Sequence, residues 1–464
     1  KNPTVFSIAL ITLWLFMAIT SVWQCVGVWR SARRHIDQGK SKLWGNLARI
    51  AVVLGLLTGV RQFVSAGIPQ ITEFAKIAVG RDPVGTYRLR LLRDGTELEV
   101  AGPIAFGLTD KVSQTLDTNR SVRVIHLNSA GGRVNEARKL RDLIASRGLT
   151  TYTASGCSSA CTLAFVAGQK RLIARNAALG FHQYSFPGIK GRDFQAEYEK
   201  DKQDWSRRGI ASAFVNTAFA TPSDKMWRPS HRELFEAGMI TGYPESDDVG
   251  ISGVKPTDLE NIDAEFTKIP LFSALKTYEP VTYDRLLSQV RSGVQEGRSM
   301  AEMQKQILPL VHSVYMKRLP YASDLALRGF GRLLLEQMKV LYSVDPTLCY
   351  AYIHGESNEV KANAIKYFSD ELRQRELSVM AEVISSAAEG SFQPPSQQQI
   401  DGELKSVFTV LTKRYGTDVR MLNDQELGKA NKARACEIAY ELYREILVLP
   451  ERDSGQLLRF MFAR

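Results

Sequence analysis

Metal-ligating side chains are scarce in this chain. It holds five cysteines and six histidines in 464 residues. Cys157 and Cys161 lie four apart, but no further Cys or His stands near them at ligand spacing, which argues against zinc. No phosphate-binding glycine loop and no nucleotide-binding motif occurs, so no built-in ATPase, no cofactor and no metal are expected. No internal repeat is evident. Basic residues outnumber acidic ones by 60 to 49, a formal net charge of +11. Part of that excess sits in one N-terminal loop, and elsewhere the basic residues are interspersed with acids. With no nucleic-acid motif present, the charge does not argue for a nucleic-acid partner.

Charge is missing altogether from Val5 to Trp29. That run is long enough to cross a bilayer as a helix, and Trp14, Trp23 and Trp29 suit membrane interfaces. It is too long for a signal peptide and lacks a small-residue cleavage pattern. A basic loop follows, with Arg30, Arg33, Arg34, Lys40, Lys42 and Arg49. A second apolar segment, Ile50 to Ile68, contains Arg61, whose long side chain can snorkel near the far end of a span. Basic loops stay cytoplasmic. Two spans therefore put everything after residue 70 on the outer face, the periplasm of a bacterium, with the catalytic region facing it from the inner membrane. If 50–68 lies along the surface instead, the rest is cytoplasmic. The length suggests two or three domains: a membrane anchor over 1–80, an α/β domain over 85–254 and a helical domain over 260–464.

The middle region carries the chemistry. Tyr87–Leu92 and Glu97–Val100 alternate around Asp94-Gly95, which predicts a β-hairpin. A helix is expected over Leu108–Leu116 and a strand over Val122–Leu127. The strand runs into Asn128-Ser129-Ala130-Gly131-Gly132. Adjacent glycines after a strand allow unusual backbone angles and close approach to a ligand. A helix follows over Arg133–Arg147, then a strand over Thr150–Ala154. Gly156-Cys157-Ser158-Ser159-Ala160-Cys161 then opens an apolar helix expected to run to Gly168. Amides at a helix start are unpaired and suit a developing oxyanion. A third apolar segment, Ala177–Phe181, ends at His182. A serine at a tight turn, a histidine one strand later and a Gly-Gly turn are the parts of acyl transfer by serine. Each also has a plainer reading: Ser159 as a helix cap, His182 as a core histidine, the glycines as an ordinary turn.

In order and spacing these elements resemble the Clp protease proteolytic subunit and its relatives in the Clp/crotonase superfamily, over about residues 85–254. The resemblance implies a ββα spiral domain. It implies Ser159 as nucleophile, His182 as general base, oxyanion amides from Gly132 and Ala160, and Gly131 shaping the turn. The third triad member falls at Met226 by ungapped counting. Asp224, two residues earlier, is the nearby carboxylate and is taken for that role. The charged stretch 188–212 matches a helix that makes subunit contacts in the family, so a homo-oligomer is expected.

Cys157 and Cys161 read either as small buried hydrophobes or as a disulfide pinning the serine turn. A Cys349–Cys436 bond is possible in an oxidising compartment. Beyond residue 255 helical periodicity dominates, with Ser391–Gln399 as a linker. His312 and His354 there read as structural. The sequence thus predicts a membrane-anchored serine peptidase acting on peptides or on membrane and envelope proteins. Its rivals are a crotonase-type acyl-thioester enzyme on the same fold and a non-catalytic scaffold.

Overall fold

The computed structural model describes residues 3–185, 195–354, 360 and 364–463. The chain forms two compact units, Lys1–Gly253 and Val254–Arg464.

The first unit opens with helix α1 (Pro3–Asp37), helix α2 (Lys42–Gln62), a π-helical turn (Phe63–Gly67) and helix α3 (Ile68–Ala78). Thr4–Asp37 and Lys42–Ala78 are long and apolar enough to cross a membrane. Their apolar side chains point outward, with Trp23 75% exposed. The second helix runs well past both ends of the expected 50–68 segment. Pro69 interrupts its hydrogen-bond ladder, and the π turn just before it absorbs the misfit. The two helices pack closely: a Cβ on Gly45 would come within 2.5 Å of Ile36. Trp14 Nε1 donates to Gln70 Oε1 at 3.0 Å. The helical connector expected over 69–84 ends early, at Ala78, where Gly80 adopts a positive φ of 78°.

A five-stranded sheet follows. Strand β1 (Arg88–Leu92) pairs antiparallel with β2 (Glu97–Ala101) across the Asp94-Gly95 turn. Strands β3 (Val124–Asn128), β4 (Thr150–Thr153) and β6 (Arg171–Ile173) add in parallel, giving the order β1-β2-β3-β4-β6. Helix α4 (Leu108–Thr118) precedes β3, and helix α5 (Val134–Arg147) joins β3 to β4. Strands β5 (Cys157–Ser158) and β7 (Leu179–Gly180) form a separate parallel pair. Short helix α6 (Ala160–Phe165) lies between β5 and β6. Strand β6 was not foreseen: three residues with only one fully buried give no readable period.

The two faces of β2 are chemically different. Leu98 and Val100 enter an apolar core with Leu108, Leu127, Leu140 and Phe165. Glu97 and Glu99 point the other way and are equally buried. His126 Nε2 lies 2.7 Å from Glu97 Oε2, and His126 Nδ1 lies 2.7 Å from Ser252 Oγ. The amides of Gly250 and Gly253 donate to Glu97 and Glu99 at 2.8 and 2.7 Å. The segment 247–253 is thereby fastened over the sheet. Burial alone would raise the Glu97 carboxyl. Bonds from His126, the Gly250 amide and Arg93 outweigh it and hold the group below the usual glutamate value.

Helices α7 (Gln195–Arg207), α8 (Ser212–Ala220) and α9 (His231–Glu236) complete the unit. Of the charged stretch 188–212, residues 188–194 lie outside the described residues. The regular elements of the second unit's described residues are helices, from Pro256–Glu260 to Glu451–Phe462. Its cores gather Leu327, Val383 and Leu411 in one cluster and Leu333, Met338 and Cys436 in another. The structure joins Cys349 to Cys436, with Cα atoms 6.1 Å apart. The expected Ser391–Gln399 linker is shorter, since a helix begins at Gln397 behind a Ser396–Gln399 capping box. His354 ends the helix Pro346–Ile353.

Candidate functional site

The end of β3 is held by its own side chains. Asn128 Oδ1 accepts from the amides of Ala154 and Ser155 at 2.9 and 3.1 Å, tying β3 to the loop after β4. Ser129 Oγ accepts from the Gly131 amide at 3.1 Å. Gly131 and Gly132 have φ values of 111° and 145°, reserved in practice for glycine. A Cβ on Gly131 would stand 2.7 Å from Ser159 Cβ and 3.1 Å from the Ala160 nitrogen. A Cβ on Gly132 would stand 2.4 Å from Ile104 O. The glycine turn is thus pressed against the serine turn. Among the described residues, neither the Gly132 amide nor the Ala160 amide has a hydrogen-bond partner.

Ser159 has φ 55° and ψ −130°, a strained setting for a residue with a side chain. Its amide donates to Gly180 O at 2.8 Å, and its carbonyl accepts from Thr162. Its side chain makes no capping bond, which removes the helix-cap reading. The helix after it is shorter than the sequence suggested, ending at Phe165 rather than Gly168. Cys157 and Cys161 are fully buried and joined, with Cα atoms 5.4 Å apart, so that a short ring encloses Ser159.

His182 lies just beyond β7. Phe181 exchanges backbone bonds with Trp227 at 2.9 and 3.0 Å, and the Gln183 amide donates to Thr221 O at 2.8 Å. Ser159 and His182 line one cleft with Thr162, Leu163, Phe181, Tyr184, Trp205, Ala218 and Phe219. Its free volume is about 20 Å³, room for about one water. Among the described residues, no hydrogen bond joins Ser159 Oγ to His182. Burial holds the imidazole below its ordinary pKa, so it is neutral at neutral pH and able to accept a proton. The Nδ1 atom is buried and has no partner among the described residues.

Asp224 does not supply that partner here. It is exposed, in the turn between Thr221 and Trp227, and its carboxylate makes no hydrogen bond among the described residues. The physical reason is the turn itself: Lys225 N bonds back to Pro222 O at 3.0 Å and carries Asp224 outward.

Several residues of the cleft gave no local signal. Trp205 of α7 and Phe219 of α8 close it, with ring centroids 5.1 Å apart. The Tyr184 hydroxyl donates to buried Asp201, which also binds Arg138 Nη2 at 2.6 Å and Arg141 Nη1 at 3.2 Å. These partners are far apart in sequence.

No family description matches the chain, and no curated protein does. Solved structures do match. ClpP1 from Listeria monocytogenes is 19% identical over 33% of this chain and 92% of that chain, with a TM-score of 0.29. A single-residue mutant of that ClpP1 is 20% identical over 33% of this chain and 94% of that chain, with a TM-score of 0.25. About a third of this chain resembles a Clp protease. The Clp-like segment therefore accounts for the smaller part of the molecule, and the remaining two-thirds lies outside the likeness.

Proposed function

We propose that this protein is a membrane-anchored Clp-like serine peptidase whose α/β domain adopts the Clp/crotonase spiral. One observation carries the reading: strained Ser159, freed from any capping role, faces Gly131 and shares a narrow cleft with neutral His182. In the reaction, Ser159 Oγ attacks the scissile carbonyl while His182 takes its proton. The Gly132 and Ala160 amides, both unpartnered among the described residues, receive the oxyanion. Collapse expels the amine, which takes the proton from His182, and water then releases the acyl group by the same steps in reverse. Asp224 is proposed as the third member. The ends of its turn, Thr221 and Trp227, are bonded to the residues on either side of His182. Turning that loop inward would present a carboxylate to the empty Nδ1 position.

The substrates would be peptides or membrane and envelope proteins, and the assembly a homo-oligomer. The sequence's basic loop proves to be mostly helix: its basic residues sit at the end of α1 (Arg30, Arg33, Arg34) and in the first turns of α2 (Lys42, Arg49), with Lys40 between. Their clustering there supports a cytoplasmic connection and a periplasmic catalytic domain in a bacterial inner membrane. The buried, joined Cys157–Cys161 and Cys349–Cys436 pairs suit that oxidising compartment.

Fluorophosphonate labelling of the detergent-solubilised full chain tests the reading. Labelling is expected in the wild type, absent in Ser159→Ala, and slowed by about 10²–10⁴ in Asp224→Ala if that carboxylate orients His182. No labelling of any preparation, oligomers included, would leave the scaffold reading, which the unpaired Nδ1 favours. Labelling with turnover of an acyl-thioester but of no peptide would favour the crotonase-type reading.

The acidity of His182 gives a second test. Burial disfavours the imidazolium form, so neutral base persists to lower pH than for a free histidine. The acid limb of the labelling rate is expected below about 6.5, the ordinary histidine value. A limb at or above that value would mean that His182 is not the titrating base.

A further inference from the structure

Arg133 follows the glycine turn directly and leaves it for the anchor side of the molecule. Its amide donates to Ile104 O at 2.7 Å, while Ile104 N donates to Gly131 O at 2.8 Å. The segment 104–106 thus holds the backbone on both sides of Gly132. The Arg133 guanidinium lies over the Phe106 ring, 4.9 Å from its centroid. Its Nη2 binds Asp82 Oδ1 at 2.7 Å and its Nη1 binds Glu73 Oε1 at 2.5 Å. Asp82 also accepts from the Phe106 amide at 3.0 Å. All three charged side chains are mostly buried, between 11% and 17% exposed. Burial would lower the arginine pKa, but bonds to Asp82 and Glu73 outweigh it and raise it.

Glu73 belongs to α3, which continues the second membrane-length helix beyond the π turn. Other residues of α3 grip α1: Gln70 accepts from Trp14, and Phe74 packs edge-on against Phe6 with centroids 6.3 Å apart. One helix therefore holds the anchor on one side and the residue after the oxyanion glycines on another. An arginine fork can satisfy two carboxylates at once, which a lysine cannot do with the same geometry.

We propose that Arg133 is a positioning residue that fixes the Gly131-Gly132 turn to the membrane anchor through Glu73 and Asp82. The inference rests on the reading of Ser159 as nucleophile. Its effect falls on the transition state, because the Gly132 amide must sit at hydrogen-bond distance from the oxyanion and not from the ground-state carbonyl. Small displacements of such a donor are enough to lose rate.

The test uses the full chain in detergent with a fluorophosphonate probe, in which a Ser159 Oγ–P bond forms and fluoride leaves. Maximal phosphonylation rate and half-saturating probe concentration are measured for wild type, Glu73→Gln, Arg133→Lys and Arg133→Gln, with thermal unfolding followed in parallel. Glu73→Gln is expected to lower the maximal rate about tenfold with the half-saturating concentration unchanged, measured well below the unfolding temperature of the variant. Arg133→Lys is expected to fall between wild type and Arg133→Gln. Combining Glu73→Gln with Arg133→Gln should add little beyond Arg133→Gln alone, since both break one link. Wild-type rates in Glu73→Gln and Arg133→Lys would overturn the inference while leaving Ser159 as nucleophile. So would losses that only track the unfolding temperature. A wild type that does not label would instead remove the reading on which the inference rests.

Discussion

Replacing Gly131 with alanine abolishes labelling at Ser159, by about a hundredfold or more. The new methyl carbon would have to stand 2.7 Å from Ser159 Cβ and 2.8 Å from Ser158 O, closer than atoms of those kinds approach. Neither neighbour can yield cheaply. Ser158 is held in a strand pair with Gly180, and Ser159 is at the strained position whose amide is bonded to Gly180 O. The φ of 111° adds a backbone penalty whatever the space. The turn must move, and a displacement near 1 Å costs about 10²-fold in rate. Gly242 is the control: nothing lies within 4 Å of its Cβ position and its φ is not positive, so Gly242→Ala should label as wild type does. Undiminished labelling of Gly131→Ala would mean that the glycine turn and the serine turn do not meet in the working enzyme.

Replacing His126 with alanine unfolds the α/β domain at much lower temperature. The change removes the ring held between Glu97 Oε2 and Ser252 Oγ, and leaves Glu97 buried with only Arg93 and the Gly250 amide. Tyr152 loses an edge-on ring partner 5.0 Å away as well. Removing a hydrogen-bond partner from a buried carboxylate costs about 1.5–3 kcal/mol. For a unit of this size that is a fall of roughly 3–12 °C in unfolding temperature. Trp205, buried in the same unit, offers a fluorescence readout. Ser252→Ala, which deletes one hydroxyl, should cost only about 1 kcal/mol. Equal, small shifts in both variants would show that the network under β2 does not fasten the sheet.

Much of the local structure was legible because it depends on neighbours in the chain. The Asp94-Gly95 turn gave the hairpin, and helical spacing from Val134 to Ile144 gave α5 nearly to its ends. Val122–Leu127 was read one or two residues early for β3, the usual error at element boundaries. Order and spacing singled out the glycine turn, Ser159 and His182; in the structure the turn abuts Ser159, and Ser159 and His182 line one cleft, while their catalytic roles belong to the proposal. What was not legible depends on distant parts of the chain. Glu97 and Glu99 look like the exposed positions of an alternating strand. They are buried only because residues 247–253, about 150 positions later, fold over them. Asp224 was chosen by counting along the sequence, and counting carries no information about which way a loop turns a side chain. Arg133 looked like the polar start of an amphipathic helix, and its two acids lie 60 and 51 residues away.

The cleft beside Ser159 and His182 has room for about one water because Trp205 and Phe219 fill it. A substrate side chain entering there would compete with the protein's own aromatic rings. If binding required those rings to withdraw, apparent affinity would be weakened by the fraction withdrawn. A form open one time in a hundred would weaken it about a hundredfold. On the proposed reading, whatever withdraws the α7 and α8 rings would set the rate at which Ser159 meets its substrate.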